Sequence, residues 1–198
     1  MIADCTAVIL AGGQSSRMGQ DKANLFLGEQ TLLQSVFATL QPLFVETIVS
    51  VREHRPDISQ RQILDDPAHQ GPLGGLLAGL EAATTPWIFL AACDMPFITL
   101  AVVEHLAMLR QGSDAVVPLV QGHPQPMAAF YAKSGLYPLR NLLQDRTAKH
   151  SLRRALTQMN TRYVDEAELR AVDPQLHSFF DLDTPQDLQQ AVVIQNTK

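Results

Sequence analysis

The chain has 198 residues, which is enough for one α/β domain with a substantial core and too few for two full domains. Its formal net charge of −5 argues against a broad nucleic-acid-binding surface. No stretch approaches the roughly 20 uninterrupted apolar residues of a membrane span. Asp4 stands where a signal peptide would carry positive charge, so we expect a cytoplasmic protein with neither nucleic acid nor membrane as partner. Cys5 and Cys93 are too few for a disulfide framework and are interpreted as core thiols.

Short apolar runs alternate with helical patterns over about the first 120 residues. Strands are predicted at 6–10, 47–51, 62–64, 87–92 and 115–119. Helices are predicted at 33–40, 72–83 and 100–109. This alternation predicts a doubly wound, mostly parallel sheet, in which ligands bind at the carboxyl ends of the strands.

The second half of the chain breaks this alternation. Residues 127–132 can pair antiparallel with a neighbouring strand, which predicts a small antiparallel extension of the sheet. Helices are predicted at 136–143 and 151–159, as a cover beside the sheet. A last helix is expected to begin at Pro185, because Thr184 is a good N-cap and Asp187 completes the cap.

A glycine-rich turn with two cations follows the first predicted strand. Gly12 and Gly13 let the backbone approach a ligand closely, so that successive N–H groups can point at phosphate oxygens. Arg17 offers a planar fork matched to phosphate, and Lys22 offers a mobile point charge. The spacing of the glycines fits neither a Walker loop nor a dinucleotide fingerprint. The turn therefore predicts a site for a nucleoside triphosphate.

The string from Leu10 to Lys22, LAGGQSSRMGQDK, resembles the signature of the nucleotidyltransferases that join a nucleoside triphosphate to a phosphorylated acceptor. Within that family it is most similar to the molybdenum cofactor guanylyltransferases. The resemblance implies a Rossmann-like nucleotidyltransferase fold, with GTP and molybdopterin as substrates and Mg²⁺ as cofactor. It also implies that Leu10, Ala11, Gly12 and Gly13 contact the nucleotide.

Asp94 follows the apolar strand predicted at 87–92, so its carboxylate is expected to emerge at the ligand-binding edge of the sheet. Magnesium prefers one or two carboxylates together with phosphate oxygens and waters, and a single carboxylate at this place suits that preference. The resemblance implies the same role, because the family carries a metal-binding Asp before a Pro at this strand end. The alternative is a turn or helix cap for the segment that begins near Thr99.

Asp65 and Asp66 end the third predicted strand, and the resemblance places the base-recognition carboxylate near Asp66. There it would accept hydrogen bonds from N1 and N2 of guanine; a solvated turn is the alternative. Ser50 is assigned to nucleotide binding, although guanylyltransferases often have a base-contacting Asn at this place. Gly74 and Gly75 each cost about 1 kcal/mol inside a helix, which close approach of the backbone to ligand or sheet would rationalise.

Two features of the second half are assigned to the acceptor. In guanylyltransferases the motif Asn-x-Asn-Thr-Pro is usual where this chain has Asp181 and Asp183 at the two Asn positions. Asp183 is interpreted as an acceptor contact or a second metal contact, with less weight on Asp181. Arg153 belongs to a basic cluster within 140–154, which is either an acceptor-phosphate site or a solvated helix face.

These assignments predict an enzyme in a single domain, 1–198, with a nucleotide-binding part at about 1–120 and an acceptor-binding part at about 121–198. The resemblance implies that the phosphate of molybdopterin attacks the α-phosphorus of GTP and that pyrophosphate leaves. Catalysis would depend on three side chains, with a carboxylate on Mg²⁺ and two cations on the pyrophosphate: Asp94, Arg17 and Lys22.

Three alternatives remain open. The chain could be a cytidylyltransferase for the same cofactor, a guanylyltransferase for another phosphorylated acceptor, or a nucleotide-binding module without activity. Proteins that deliver or collect the cofactor are further candidate partners.

Overall fold

The computed structural model describes residues 1–12, 21–65, 69, 71–144 and 150–196. Ten strands lie within these residues: β1 (Ile2–Leu10), β2 (Phe26–Leu27), β3 (Gln30–Thr31), β4 (Phe44–Val51), β5 (Gln62–Leu64), β6 (Trp87–Ala92), β7 (Ala115–Val120), β8 (His123–Pro124), β9 (Ala128–Ala132) and β10 (Thr161–Val164). The described part also contains seven α-helices: α1 (Leu32–Leu40), α2 (Pro72–Ala82), α3 (Leu100–Met108), α4 (Leu136–Gln144), α5 (Leu152–Leu156), α6 (Glu166–Arg170) and α7 (Pro185–Asn196). None of these helices is long and apolar enough to cross a membrane.

One mixed sheet runs through the molecule in the order β10-β7-β9-β6-β1-β4-β5, and β8 pairs with β7. Strands β4 and β6 are parallel to β1, β5 is parallel to β4, and β10 is parallel to β7. Strand β9, which lies between β6 and β7, runs antiparallel to both, and the short β8 is antiparallel to β7. The predicted mostly parallel sheet with a small antiparallel extension is confirmed, and the antiparallel strand lies inside the sheet.

The central strands are buried on both faces because helices cover both sides of the sheet. Along β1, Ala7 and Ile9 belong to the apolar cluster that includes residues of α1, α3 and α6, whereas Val8 belongs to the cluster on the other face, with residues of α2, α4 and α5. Continuous apolar runs are typical of parallel strands with two covered faces. A smaller apolar cluster joins α7 to the hairpin β2–β3 through Leu27 and Ile194. This third cluster brings the carboxyl-terminal helix next to the segment that carries Lys22.

Helix α2 lies unusually close to the sheet, and its glycines allow this. A Cβ atom at Gly75 would collide with the side chain of Leu10, and one at Gly79 would lie 3.0 Å from Val8. Of the two explanations offered for a glycine at position 75, close approach to the sheet is therefore the one that the structure supports.

The prediction for the segment 151–159 was wrong in extent. Helix α5 ends at Leu156, where the hydroxyl of Thr161 donates a hydrogen bond to the Leu156 carbonyl at 2.9 Å. The chain then returns as β10 and α6, neither of which was predicted. Strand β10 is a short edge strand that exposes Arg162 and Tyr163, so its sequence lacks the apolar run by which the other strands were recognised.

Both cysteines lie in the core, as predicted. Cys5 and Cys93 are free and buried within the apolar cluster beneath α1 and α3. Burial raises the pKa of both thiols, so they remain protonated and unreactive.

Candidate active site

Four parallel strands end at the same edge of the sheet, and the predicted functional segments follow them. The amide of Ala11 donates to the Ser50 carbonyl at 2.9 Å, and the amide of Cys93 donates to the Leu10 carbonyl at 3.1 Å. These bonds fix Ala11 and Gly12 beside the turn that carries Asp94. Predictions made for Gly13, Arg17 and Asp66 fall outside the described residues.

Three residues assigned from the sequence meet at this edge. Lys22 lies just after the glycine-rich segment, at the start of a short 3-10 turn that Asp21 caps. Its ammonium donates to Oδ2 of Asp94 at 2.6 Å and to Oδ1 of Asp183. The side chains of Lys22 and Asp94 are only 13% and 14% exposed, whereas that of Asp183 is 55% exposed. Lys22, Asp94 and Asp183 thus form one ionic cluster at the ligand-binding edge.

The cluster keeps Lys22 charged. Burial lowers the pKa of the Lys22 ammonium, but hydrogen bonds and charges from Asp183 and Asp94 outweigh this effect and raise the pKa above its ordinary value. Asp181 lies close by, and its surroundings favour the uncharged form of its carboxyl group. Burial, together with the negative charges of Asp94 and Asp183, raises its pKa to about 7. The burial of Asp181 was not predicted, because a buried side chain cannot be told from an exposed one by its place in the motif.

One oxygen of the Asp94 carboxylate is available to a ligand. Its Oδ1 atom is buried and has no hydrogen-bond partner among the described residues, and the same holds for Oδ1 of Asp181. The alternative role as a helix cap is contradicted, because α3 is capped by Thr99, whose hydroxyl accepts from the Val102 amide. A buried carboxylate oxygen without a partner is costly unless a ligand satisfies it.

These residues fit a divalent cation that is shared with a substrate. Within the described part of the chain, no group of three or more His, Cys, Asp or Glu side chains is arranged to hold a metal ion. Magnesium usually binds through one or two carboxylates and completes its shell with substrate phosphates and waters. The site at Asp94 therefore suits a metal ion whose shell is completed by waters or by the phosphates of a nucleotide.

The carboxylate of Asp183 does not cap α7, because Thr184 and Asp187 do so. The amides of Asp183 and Thr184 both donate to Oδ2 of Asp187, whose own amide donates to the Thr184 hydroxyl at 3.2 Å. The amide of Leu182 donates to the Asp94 carbonyl at 3.0 Å. The start of α7 is thus fixed against the Asp94 turn, and the carboxylate of Asp183 is left for Lys22.

A second polar cluster forms where β4 and β5 end. Ser50 is fully buried, and its hydroxyl donates to Oδ1 of Asp65. A Cβ atom at Gly12 would lie 3.0 Å from Oδ2 of Asp65, so glycine leaves room beside this carboxylate. The assignment of the base-recognition carboxylate near Asp66 stays a prediction, and the structure places its neighbour Asp65 against Ser50. Strand alternation puts Asp65 on the same face as Ile63, a residue that packs into the core.

Arg153 is not part of the Lys22 cluster. It is exposed on α5, whose apolar residues pack on the same face of the sheet as α2 and α4. Just before α5, the ring of His150 lies 5.8 Å from that of His69, which follows the β5 end. His150, which precedes α5, therefore lies beside His69.

Comparisons with known proteins agree with this geometry. Residues 7–162 match the sequence model of the MobA-like NTP transferase domain. The chain is 38% identical over 193 residues to a probable molybdenum cofactor guanylyltransferase of Chloroflexus aggregans, covering 92% of this chain and 91% of that protein. It is 36% identical over 197 residues to a protein of the same name from Peptoclostridium acidaminophilum, covering 93% and 87% of the two chains.

A solved structure gives the same assignment. Molybdopterin-guanine dinucleotide biosynthesis protein A from Archaeoglobus fulgidus superposes with a TM-score of 0.85 at 28% sequence identity. The superposition covers 98% of this chain and 100% of that one. With a family match over most of its length and the Lys22–Asp94 pair at the ligand-binding edge, the chain belongs to the MobA-like NTP transferase family and is a nucleotidyltransferase.

Proposed function

We propose that the protein transfers GMP from GTP to the phosphate of molybdopterin, releasing pyrophosphate and forming molybdopterin guanine dinucleotide. The observation that carries this proposal is the Lys22–Asp94 pair at the carboxyl edge of the sheet, in a chain whose relatives are named molybdenum cofactor guanylyltransferases. We place the reaction in the cytoplasm, where GTP is available. Proteins that deliver molybdopterin or collect the product are its expected partners.

The chemistry needs charge neutralisation and positioning. A phosphate oxygen of the acceptor attacks the α-phosphorus, the new P–O bond forms, and the bond between the α-phosphorus and the bridging oxygen of pyrophosphate breaks. Since the attacking oxygen is already anionic, no general base is required. Lys22 is charged and can stabilise the departing pyrophosphate, and we assign the same role to Arg17.

We propose Mg²⁺ as the cofactor, with Asp94 as its protein ligand. When bound, it would neutralise charge on the phosphates. The partnerless Oδ1 of Asp94 supports this assignment.

We assign the base to the ends of β4 and β5. A carboxylate there, Asp66 or the neighbouring Asp65, would accept hydrogen bonds from N1 and N2 of guanine. Ser50 holds the Asp65 carboxylate in place through its hydroxyl. The backbone from Leu10 to Gly13 would run along the nucleotide, as glycines at this turn allow.

We further propose that residues of about 1–120 bind the nucleotide and those of about 121–198 bind the acceptor. Asp183 belongs to the second part of the chain, and its carboxylate pairs with Lys22 of the first part. The two proposed parts therefore meet at the Lys22 cluster. The position of Asp183 next to Asp94 suits an acceptor contact close to the reacting phosphate. Arg153 is the proposed cation for the acceptor phosphate.

The direct test supplies the purified protein with molybdopterin, Mg²⁺ and either GTP or CTP, and measures pyrophosphate together with the dinucleotide product. We expect product with GTP and little with CTP. Preference for CTP would make the protein a cytidylyltransferase for the same cofactor. If the protein were active only with another phosphorylated acceptor, that compound would replace molybdopterin as the assigned acceptor. Absence of pyrophosphate with either nucleotide would overturn the proposal.

A further inference from the structure

The Lys22 ammonium is held by two carboxylates at once. Asp94 accepts one hydrogen bond at 2.6 Å, and Asp183 accepts a second from the opposite end of the chain. The second carboxylate on Lys22 changes what the site offers to a nucleotide.

In this state Lys22 is poorly placed to bind phosphate. Its side chain is 13% exposed, and two of its three N–H donors already go to carboxylates, which hold the ammonium where it is. One ammonium between two carboxylates leaves a net negative charge, which repels a polyanionic ligand. A cation bound to the carboxylates would remove both obstacles, since the carboxylates would no longer need the ammonium.

We propose that Asp183 is a positioning residue that, together with Asp94, holds Lys22 away from the nucleotide until a divalent cation binds the carboxylates. Lys22 is then released toward the phosphates. The protein would thus bind the metal–nucleotide complex in strong preference to free nucleotide. By linkage, nucleotide would raise the affinity for the metal ion by the same factor. This inference rests on the nucleotide site of the proposed function, but its first consequence requires no nucleotide.

The first test follows Lys22 itself. Brief acetylation with acetic anhydride, read by mass spectrometry, reports how freely the Lys22 amine reacts in EDTA and in Mg²⁺. We expect slow labelling in EDTA and about tenfold faster labelling in Mg²⁺ for the wild type. Asp183→Asn should label fast already in EDTA. Equal labelling of the wild type in both conditions, or slow labelling of Asp183→Asn, would overturn the inference.

The second test measures coupling between metal and nucleotide. The ratio of GTP dissociation constants in EDTA and in Mg²⁺, from calorimetry, is compared for the wild type, Asp183→Asn and Asp181→Asn. The titrations are made at pH 8, where Asp181, with a pKa raised by burial to about 7, is mostly charged. Asp181 is then the matched control, because Asp181→Asn also removes one negative charge from this segment but breaks no hydrogen bond to Lys22. We expect Asp183→Asn to tighten GTP binding in EDTA and lower the ratio about tenfold, and Asp181→Asn to lower it much less.

The outcomes separate the two proposals. Equal ratios for the two variants would show that only net charge matters and would overturn the role of Asp183. Absence of GTP binding by the wild type in Mg²⁺ would overturn the nucleotide site of the proposed function, while the labelling experiment would still decide whether Asp183 holds Lys22.

Discussion

Two cations with nearly equal burial lie at opposite edges of the sheet, and they have different environments. Lys22, at the carboxyl edge, is 13% exposed and pairs with two carboxylates; Arg110, at the amino edge, is 15% exposed and pairs with Asp4 at 2.9 Å. The Arg110 guanidinium also lies 5.3 and 5.2 Å from the ring centres of Trp87 and Phe130. Its charge is therefore balanced one to one and supported by aromatic faces, although its buried Nη1 atom has no hydrogen-bond partner among the described residues.

The comparison shows that surplus charge marks the ligand site better than shape does. A cavity of about 430 Å³ opens beside Arg110, yet its acidic side chains are satisfied. Asp114, for example, accepts from Ser134 and from the Asn160 amide. At the carboxyl edge, by contrast, carboxylates outnumber the ammonium and Asp94 keeps a buried oxygen without a partner in the described part of the chain. A divalent cation would correct that negative imbalance, and a polyphosphate could then bind beside the cation.

The largest expected effect is at Asp94. Asp94→Asn removes the charge that would hold the metal ion, so we expect pyrophosphate release to fall on the order of a thousandfold. Helix α3 keeps its Thr99 cap, so circular dichroism should show an intact fold. Near-normal turnover of this variant would exclude Asp94 as the metal ligand.

Substitution of Arg110 should lower stability and leave turnover nearly unchanged. Arg110→Met removes the ion pair with Asp4 and the contacts with two aromatic rings, and we expect it to lower the free energy of unfolding by about 2 kcal/mol. Turnover should stay within about threefold of wild type, because the amino edge lies at the other end of the strands. Urea unfolding and pyrophosphate release measure the two effects. A large loss of turnover without loss of stability would contradict the comparison.

Asp181 should make the free energy of unfolding depend on pH. Its pKa is about 7 in the folded protein against an ordinary 3.8, so its carboxyl binds the proton more tightly when folded. The stability that this provides is fully present below pH 4 and is lost as the pH rises through about 7. In EDTA at pH 8 we expect Asp181→Asn to be more stable than wild type by about 2 kcal/mol, and at pH 4 the two should be equal. Thermal or urea unfolding across this range is the measurement; parallel curves would contradict the assignment.

The smallest effect is expected at Ser50. Ser50→Ala removes the hydroxyl that holds Asp65, at a cost of about 1 kcal/mol in nucleotide binding, or roughly fivefold in GTP affinity. Discrimination between GTP and CTP should fall with it. The affinities of the variant for both nucleotides test this, with Asp65→Asn as the stronger variant at the same contact. If both variants kept the wild-type selectivity for GTP over CTP, Ser50 and Asp65 would not be the residues that recognise the base.

Much of the fold was predictable because buried parallel strands are continuous apolar runs. The predicted bounds of β5 and β6 match the structure, and those of the helices α2 and α3 differ by one residue at their ends. Strand β10 was not predictable, since only Val164 of its four residues is buried.

The positions of Lys22 and Asp94 at the carboxyl edge were predictable, because local sequence places each beside the end of a buried strand. The interaction of Lys22 with Asp183 spans 161 positions and depends on how α7 packs against the hairpin β2–β3. Neither the second carboxylate on Lys22 nor the buried state of Asp181 follows from a motif. Both result from tertiary packing.

The central claim is that the carboxyl edge binds a guanine nucleotide with a metal ion at Asp94. The most direct measurement is the thermal shift caused by GTP, CTP, ATP and UTP, with and without Mg²⁺, in the wild type and Asp94→Asn. At about 100 times the dissociation constant a ligand adds roughly 2.7 kcal/mol, which raises the melting temperature of a chain of this size by several degrees. We expect a shift selective for GTP that depends on Mg²⁺ in the wild type and loses that dependence in Asp94→Asn. No shift with any nucleotide, or the same Mg²⁺ dependence in both proteins, would contradict the account.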